Sequence, residues 1–171
     1  QVRAGSRAQY NYGKLELSRT SRLPYEFLLV NLLTFQVSDS NLLGSEQIGF
    51  GGYDTVRGYD TRVLNTDEGT IISNELRTPS VSLFSLTGHP KLKRVGDKLQ
   101  LLGFMDYGVG SNRRLLGGEK SSTVLFSSGP GLRYTIVPYL AVRADYGWQL
   151  RLAETRRRVA SRWHVAVVAS F

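Results

Sequence analysis

Residues 140–152, near the end of the chain, alternate between an apolar side and a side of polar, charged and small residues. A period of two is the pattern of a β-strand with one face against an apolar medium. Strands of soluble sandwiches usually run for about five or six residues, whereas a tilted strand that crosses a membrane needs about 9–11. The length of this alternation therefore favours a transmembrane β-barrel with a wet, polar lumen over a soluble β-sandwich.

The same pattern, broken by turn signals, predicts an all-β chain of seven strands. They are residues 10–22, 26–37, 70–77, 98–108, 122–136, 140–152 and 161–171. Membrane barrels alternate short periplasmic turns with long outer loops, so a periplasmic C-terminus places the short connections 23–25 and 137–139 inside and the long segment 38–69 outside. Only connection 78–97 is longer than this rule expects. Bacterial single-chain barrels have an even number of strands, and an open edge is not viable in lipid, so we expect residues 1–171 to be the C-terminal part of a larger antiparallel barrel.

The composition limits the classes of partner and site. Lys and Arg number 22 against 14 Asp and Glu, a net charge of +8 that suggests a polyanion nearby without choosing among nucleic acid, anionic lipid and an acidic protein. Cysteine is absent, which excludes a disulfide framework and a thiolate metal site. The longest apolar run, residues 27–35, is far shorter than the ~20 residues that a membrane-spanning helix requires.

Catalytic and nucleic-acid functions find little support in the residues. The two histidines, His89 and His164, have no metal-ligand spacing and belong to no Ser/His/Asp grouping. The glycine clusters at 49–52 and 129–131 precede no predicted helix, so a phosphate cradle is not expected. A nucleic-acid surface would leave the apolar faces opposite the basic residues unexplained. We therefore expect no enzyme activity, no metal or other cofactor, and no nucleic-acid partner.

The long segment 38–69 contains an arginine set among glycines and aromatic residues, in the stretch GGYDTVRGY at 51–59. Strand parity places Glu75 and Asp106 on the lumen side of consecutive predicted strands. If the segment folds inward, Arg57 can join both carboxylates, because a guanidinium offers five donors in a planar fork. The alternative is a solvated loop above solvated lumen carboxylates, and the residues alone leave both interpretations open.

Three stretches, in order, resemble a known family. Residues 45–59 (SEQIGFGGYDTVRGY), 69–79 (GTIISNELRTP) and 103–108 (GFMDYG) resemble the motifs of two-partner secretion transporters of the haemolysin secretion/activation type. The chain also ends in an aromatic residue, as these proteins do. It departs from the pattern at Ile48, where the family usually has an aromatic residue, and in the long connection 78–97.

The resemblance implies a fold and a function. It implies a sixteen-stranded outer-membrane barrel of which this chain is the last seven strands, preceded by two POTRA domains and a plugging helix. It also implies export of a large partner exoprotein (an adhesin or haemolysin) and contact with outer-membrane lipid, lipopolysaccharide and, during biogenesis, the barrel-assembly machinery. The implied functional residues are the loop motif Gly51, Gly52, Val56, Arg57, Gly58 and Tyr59; its carboxylate partners Asp106 and, less directly, Glu75; the strand-motif residues Phe104 and Gly108; and the insertion signal Phe171.

Other interpretations remain open at this stage. A barrel-assembly insertase of the same superfamily shares Val-Arg-Gly-Tyr, and a passive porin or adhesin barrel shares the strand pattern. Arg113-Arg114 and Arg156-Arg157-Arg158 fall in predicted outer loops, where they either contact lipopolysaccharide phosphates or are simply solvated. Arg143 and Arg151 point to the lumen by parity and make it either cationic or part of a mixed-charge wall.

Overall fold

A computed structural model gives the fold, and it describes residues 10–87, 95–115, 121–151 and 160–171. Within these residues a single antiparallel sheet of seven strands dominates, and each of its strands pairs with the next strand of the same sheet. The sheet contains β1 (Tyr12–Arg22), β2 (Leu28–Ser38), β5 (Glu68–Arg77), β6 (Asp97–Ser111), β7 (Ser122–Ile136), β8 (Leu140–Arg151) and β9 (Ser161–Ala169). The predicted all-β antiparallel class is confirmed, and seven strands in this order are consistent with part of a barrel.

All seven predicted strands are present, with shifted ends. β7 has the predicted bounds, whereas β1 begins two residues later and β9 ends two residues earlier than predicted. β5 and β6 are longer than predicted at the ends where they meet, because Glu68 pairs with Ser111 and Gly69 with Gly110. Gly69, Gly108 and Gly110 lie at this end and interrupt the alternation of apolar and polar residues, so the sequence pattern did not predict the longer strands. Residue 152, the predicted end of β8, lies outside the described residues.

The predicted connections contain some regular structure. The turn between β1 and β2 is a 3-10 helix at Pro24–Glu26, and connection 78–97 holds a one-turn helix, α1 (Leu83–Leu86). Asp97 accepts hydrogen bonds from the backbone N–H groups of Leu83 and Phe84, and so ties this helix to the start of β6. No helix in the described ranges is long and apolar enough to cross a membrane.

The long segment adds a second, smaller sheet that the sequence did not predict. β3 (Ile48–Phe50) and β4 (Leu64–Thr66) pair with each other at the base of residues 39–67, which we call the inner loop. Ile48 and Phe50 point the same way and are buried, which is the period-two pattern on a very short scale.

The two faces of the main sheet differ. On β6, Phe104 and Asp106 are buried, whereas Met105 and Tyr107 beside them are exposed. We call the face that carries Phe104 and Asp106 the inner face, because the inner loop packs against it. We call the opposite face the outer face. The loop and the inner face share a core of Ile48, Phe50, Val56, Tyr59, Ile71 and Leu125.

Candidate functional site

The inner loop is bent back on itself by its paired glycines. Gly51 and Gly52 have φ of 93° and 107°, a region that side-chain-bearing residues rarely adopt. The carbonyl of Gly51 accepts a hydrogen bond from the N–H of Arg62 at 3.2 Å, which closes the turn. The glycine pair therefore directs residues 53–59 across the inner face of the sheet.

Phe50 and Val56 of the loop pack against the inner face at positions where the strands carry glycines. A Cβ atom on Gly108 would lie 2.8 Å from the ring of Phe50 and 2.9 Å from a methyl group of Val56. A Cβ on Gly69 would lie 2.5 Å from the same ring. Glycine is required at these positions by the close approach of the loop, which gives Gly108 of the strand motif a packing reason.

Arg57 lies in the middle of the interface and is 1% exposed. Its Nε and Nη2 atoms donate to the two carboxylate oxygens of Asp106, each at 2.7 Å, and its Nη1 atom donates to Glu75 at 2.6 Å. The guanidinium also lies over the Phe104 ring, with 3.7 Å between Cζ and the ring centroid. The structure thus brings together Arg57, Glu75, Asp106 and Phe104; the part that this contact plays in function remains a prediction.

Further charged residues extend the cluster. Arg133 donates to Glu75 at 3.0 Å and to Asp145 at 2.7 Å, and Asp145 is itself 3.7 Å from Arg57. Arg77 and Arg143 add hydrogen bonds to Glu75 and Asp145, at 2.6 and 2.8 Å. The result is a buried network of three carboxylates (Glu75, Asp106 and Asp145) with four arginines (Arg57, Arg77, Arg133 and Arg143).

The network keeps Arg57 charged. Burial alone would lower the pKa of the guanidinium, but the hydrogen bonds and charge of Asp106, with Glu75 and Asp145 nearby, raise the pKa above its usual value. A buried charge that is fully paired and hydrogen-bonded is tolerated, whereas an unpaired one is not. The loop arginine and the strand carboxylates therefore depend on one another.

Tyr59 fastens the end of the motif to an irregularity in the sheet. The pairing of β7 with β8 shifts register between Phe126 and Ser127. The Tyr59 hydroxyl lies there, 2.9 Å from the carbonyl oxygen of Phe126, beside the carbonyl of Arg151, and it accepts the N–H of Phe126 at 3.1 Å. A break in the hydrogen-bond ladder leaves backbone groups without a partner on the neighbouring strand. The Tyr59 hydroxyl provides a hydrogen-bond partner for the backbone of Phe126.

The base of the inner loop is held by Asp67. This buried carboxylate accepts hydrogen bonds from the N–H of Leu42, the side-chain amide of Gln47 and the N–H of Arg113, at 2.9, 3.0 and 3.2 Å. The Arg113 side chain lies 3.1 Å from Glu68 and also donates to the Ser38 carbonyl. Arg113 is thus engaged with the loop base, a role that neither sequence interpretation of it included.

The other sequence-predicted residues lie apart from the network or outside the described residues. Phe171 follows the end of β9 and is exposed. Arg143 is paired with Asp145, which favours a mixed-charge wall over a cationic one at that point, while Arg151 contributes its carbonyl near Tyr59. His89 and residues 156–158 are not described. In the described ranges no group of three or more His, Asp or Glu residues could hold a metal ion.

Sequence reasoning missed several members of the network. Ser73 donates to Asp106 at 2.6 Å and accepts from Arg57 at 3.0 Å, and Asp145 and Arg133 join the cluster from β8 and β7. The alternation in 140–152 had already placed Asp145 on the polar side, so its inward position could have been found. Arg133 follows two glycines and a proline that obscure the period of β7.

Comparison with protein families gives a match over most of the chain. A sequence model of the family described as "Haemolysin secretion/activation protein ShlB/FhaC/HecB" matches residues 1–134. No curated protein matches the chain. The matched range includes the loop motif, the strand that follows it and the Phe-x-Asp-x-Gly strand, so it contains both ends of the Arg57–Asp106 contact.

Proposed function

Because the chain belongs to the haemolysin secretion/activation family, the outer-membrane transporters of two-partner secretion, we propose that it exports a large partner exoprotein, an adhesin or haemolysin. The family is one of transporters rather than enzymes. The exported chain crosses through the barrel lumen along a polar path, and the passage requires no bound cofactor. The barrel contacts outer-membrane lipid on its apolar outer face.

The chain contributes the C-terminal strands of a sixteen-stranded barrel. Support for this assignment comes from the seven consecutive antiparallel strands and from their lengths, which run from 9 residues in β9 to 15 in β6 and β7. Such strands suffice to cross the hydrocarbon layer at a tilt. Since backbone edges are not viable in lipid, β1 and β9 pair with strands outside residues 1–171.

The inner loop is the part of the transporter that sets the shape of the lumen, and Arg57 is its anchor. The observation that carries this proposal is the complete burial of Arg57 between Asp106 and Glu75, which ties the loop to two neighbouring strands. Breaking a buried pair from one side typically costs about 3–5 kcal/mol. Loss of the anchor therefore weakens the docking of the loop while the strand ladders remain.

The test replaces Arg57 in the full-length protein in its own host. Deleting the gene is expected to remove a large protein from the culture supernatant, and the wild-type gene is expected to restore it. Arg57→Ala should fail to restore it, although the barrel still reaches the outer membrane and still shows the heat-dependent gel mobility of a folded barrel.

Arg62→Ala is the matched control. Arg62 belongs to the same loop, but its side chain contacts Asn65 and loop carbonyls rather than the strand carboxylates. We expect near-normal export with this variant. Normal export by Arg57→Ala would overturn the proposal that Arg57 anchors a functional loop, and no change in the supernatant on gene deletion would overturn the export function.

A further inference from the structure

Gly58, which we take as the tip of the inner loop, has an attachment separate from the carboxylates that hold Arg57 and from the contacts of Tyr59. The N–H of Gly58 donates to Nε2 of His164 on β9 at 2.9 Å, and the side-chain amide of Gln149 on β8 donates to the Gly58 carbonyl at 2.7 Å. Both backbone polar groups of Gly58 are therefore taken by side chains of the last two strands. Neither His164 nor Gln149 belongs to the three motifs that resemble the family.

The backbone of the tip approaches β8 so closely that only glycines fit. A Cβ on Gly147 would lie 2.6 Å from the nitrogen and 2.7 Å from the Cα of Gly58, and a Cβ on Gly58 would lie 2.9 Å from the Gly147 carbonyl oxygen. Gly58 also has φ of 89°, which glycine adopts without strain. A loop that rested loosely on the sheet would not need this pair of facing glycines.

We propose that His164 and Gln149 are positioning residues that clamp the tip of the inner loop to the β8–β9 hairpin. To move within the lumen, the loop then has to leave the clamp on β8 and β9 as well as the carboxylates of β5 and β6. This inference rests on the proposed function, because it assigns a means of control to the same loop. It concerns different strands and different chemistry from the Arg57 anchor.

We expect the clamp to depend on pH through the imidazole of His164. Nε2 of His164 accepts a hydrogen bond, so it must carry a lone pair, and a protonated imidazole has none to offer. The charged groups that surround the ring are Arg162 on its own strand, Asp145 and Arg143 on β8, and Arg57 in the loop. Asp60 of the loop pairs with Arg162 at 2.6 Å. When Nε2 of His164 is protonated, it becomes a donor. The hydrogen bond from the Gly58 N–H is then lost, and two N–H groups face each other.

The experiment measures release of the loop in the full-length protein, in outer membranes treated with trypsin. Arg57 is buried when the loop is docked, so cleavage after Arg57 reports the open population. His164→Ala should increase the rate of this cleavage by about two- to tenfold, the factor that one hydrogen bond of ordinary net strength provides. His164→Gln should stay near wild type, because the amide oxygen can take the place of the Nε2 acceptor.

A second readout follows pH without trypsin, which is itself pH-dependent. In planar bilayers, channel openings of the wild-type protein should be more frequent at pH 5.5 than at pH 7.5. The opening frequency of His164→Gln should change little between these two pH values. Val165→Ala is the control: Val165 is the next residue of β9, points to the outer face and is 65% exposed. It should behave as wild type in both measurements.

Gly147→Ala keeps the tip from docking without altering either hydrogen-bonding side chain, and it should increase cleavage after Arg57 at least as much as His164→Ala.

The clamp is refuted if His164→Ala and Gly147→Ala are cleaved at the wild-type rate, or if His164→Gln matches His164→Ala in rate and in pH profile. These outcomes do not depend on export. A failure of the proposed function appears instead as normal export by Arg57→Ala, and the two results are read separately.

Discussion

At the scale of single residues, Asp106 orients the loop backbone as well as the Arg57 side chain. Its Oδ2 atom accepts both the backbone N–H of Arg57, at 3.0 Å, and the Nε atom of the same residue. A lysine has a single nitrogen, so it could not make two parallel hydrogen bonds to Asp106 while reaching Glu75, nor stack as a plane over Phe104. The three named residues of the Phe-x-Asp-x-Gly strand thus each meet the loop: Phe104 under the guanidinium, Asp106 beside it and Gly108 beneath Phe50.

The residue-scale prediction concerns Asp106→Asn. This change retains the volume of the side chain but removes the charge that balances the buried guanidinium. The stability of the barrel should fall by about 3–5 kcal/mol, as it does when one partner of a buried pair is removed. Urea unfolding of the full-length protein in detergent would measure the loss.

Asp54→Asn is the matched control for that measurement. Asp54 lies in the same loop, its side chain is 63% exposed, and its distance to Arg143 is 3.8 Å. We expect an unfolding midpoint close to wild type. A wild-type midpoint for Asp106→Asn as well would show that the buried network does not stabilise the docked loop.

At the scale of elements, the parts that could be predicted are those governed by a period of two. The sequence places Glu75 and Asp106 on one side of neighbouring strands, and the structure places both beside Arg57. The β3–β4 hairpin was missed because three residues are too few for alternation to be visible. Arg133 was missed because Gly129, Pro130 and Gly131 interrupt its strand, and the structure shows why small residues stand there: a Cβ at Gly129 or Gly131 would collide with Tyr146 or Asp145 of β8.

The element-scale prediction concerns the hairpin at the base of the inner loop. Asp67→Ala removes an acceptor shared by Leu42, Gln47 and Arg113, and hydrogen bonds to a charged group contribute about 1.5–3 kcal/mol each. We expect tryptic cleavage after Arg62, beside β4, to accelerate by more than about tenfold. Mass spectrometry of membrane digests would identify the fragment that begins at Val63.

Asp39→Ala provides the comparison for this experiment. Asp39 stands at the start of the same loop and contacts Asn11 and Ser40 rather than the hairpin. Cleavage after Arg62 should remain near the wild-type rate. Equal rates for Asp67→Ala and Asp39→Ala would show that the hairpin is held by its own pairing and by Phe50 rather than by Asp67.

At the scale of the whole molecule, the sheet separates two environments. The outer face exposes large apolar side chains on most of its strands, among them Leu17, Phe35, Ile72, Met105, Trp148 and Val165. An exposed surface with this many large apolar side chains is unusual in water and ordinary against lipid. The buried charge network lies on the inner face. This separation, which the sequence period already indicated, joins the family match in supporting an outer-membrane barrel.

The whole-molecule prediction is that a charge is tolerated on the inner face and not on the outer face at similar depth. Met105 is near the middle of β6, points outward and is 51% exposed, whereas Ser18 is near the middle of β1 and exposed on the inner side. An arginine at the bilayer midplane destabilises a barrel by about 2–4 kcal/mol, and a lumen position does not face lipid. Met105→Arg should therefore lower the folded fraction of the full-length protein in lipid vesicles, while Ser18→Arg leaves it near wild type. If both variants lost the same stability, the apolar face would not be in contact with lipid, and the assignment of inner and outer faces would have to be abandoned.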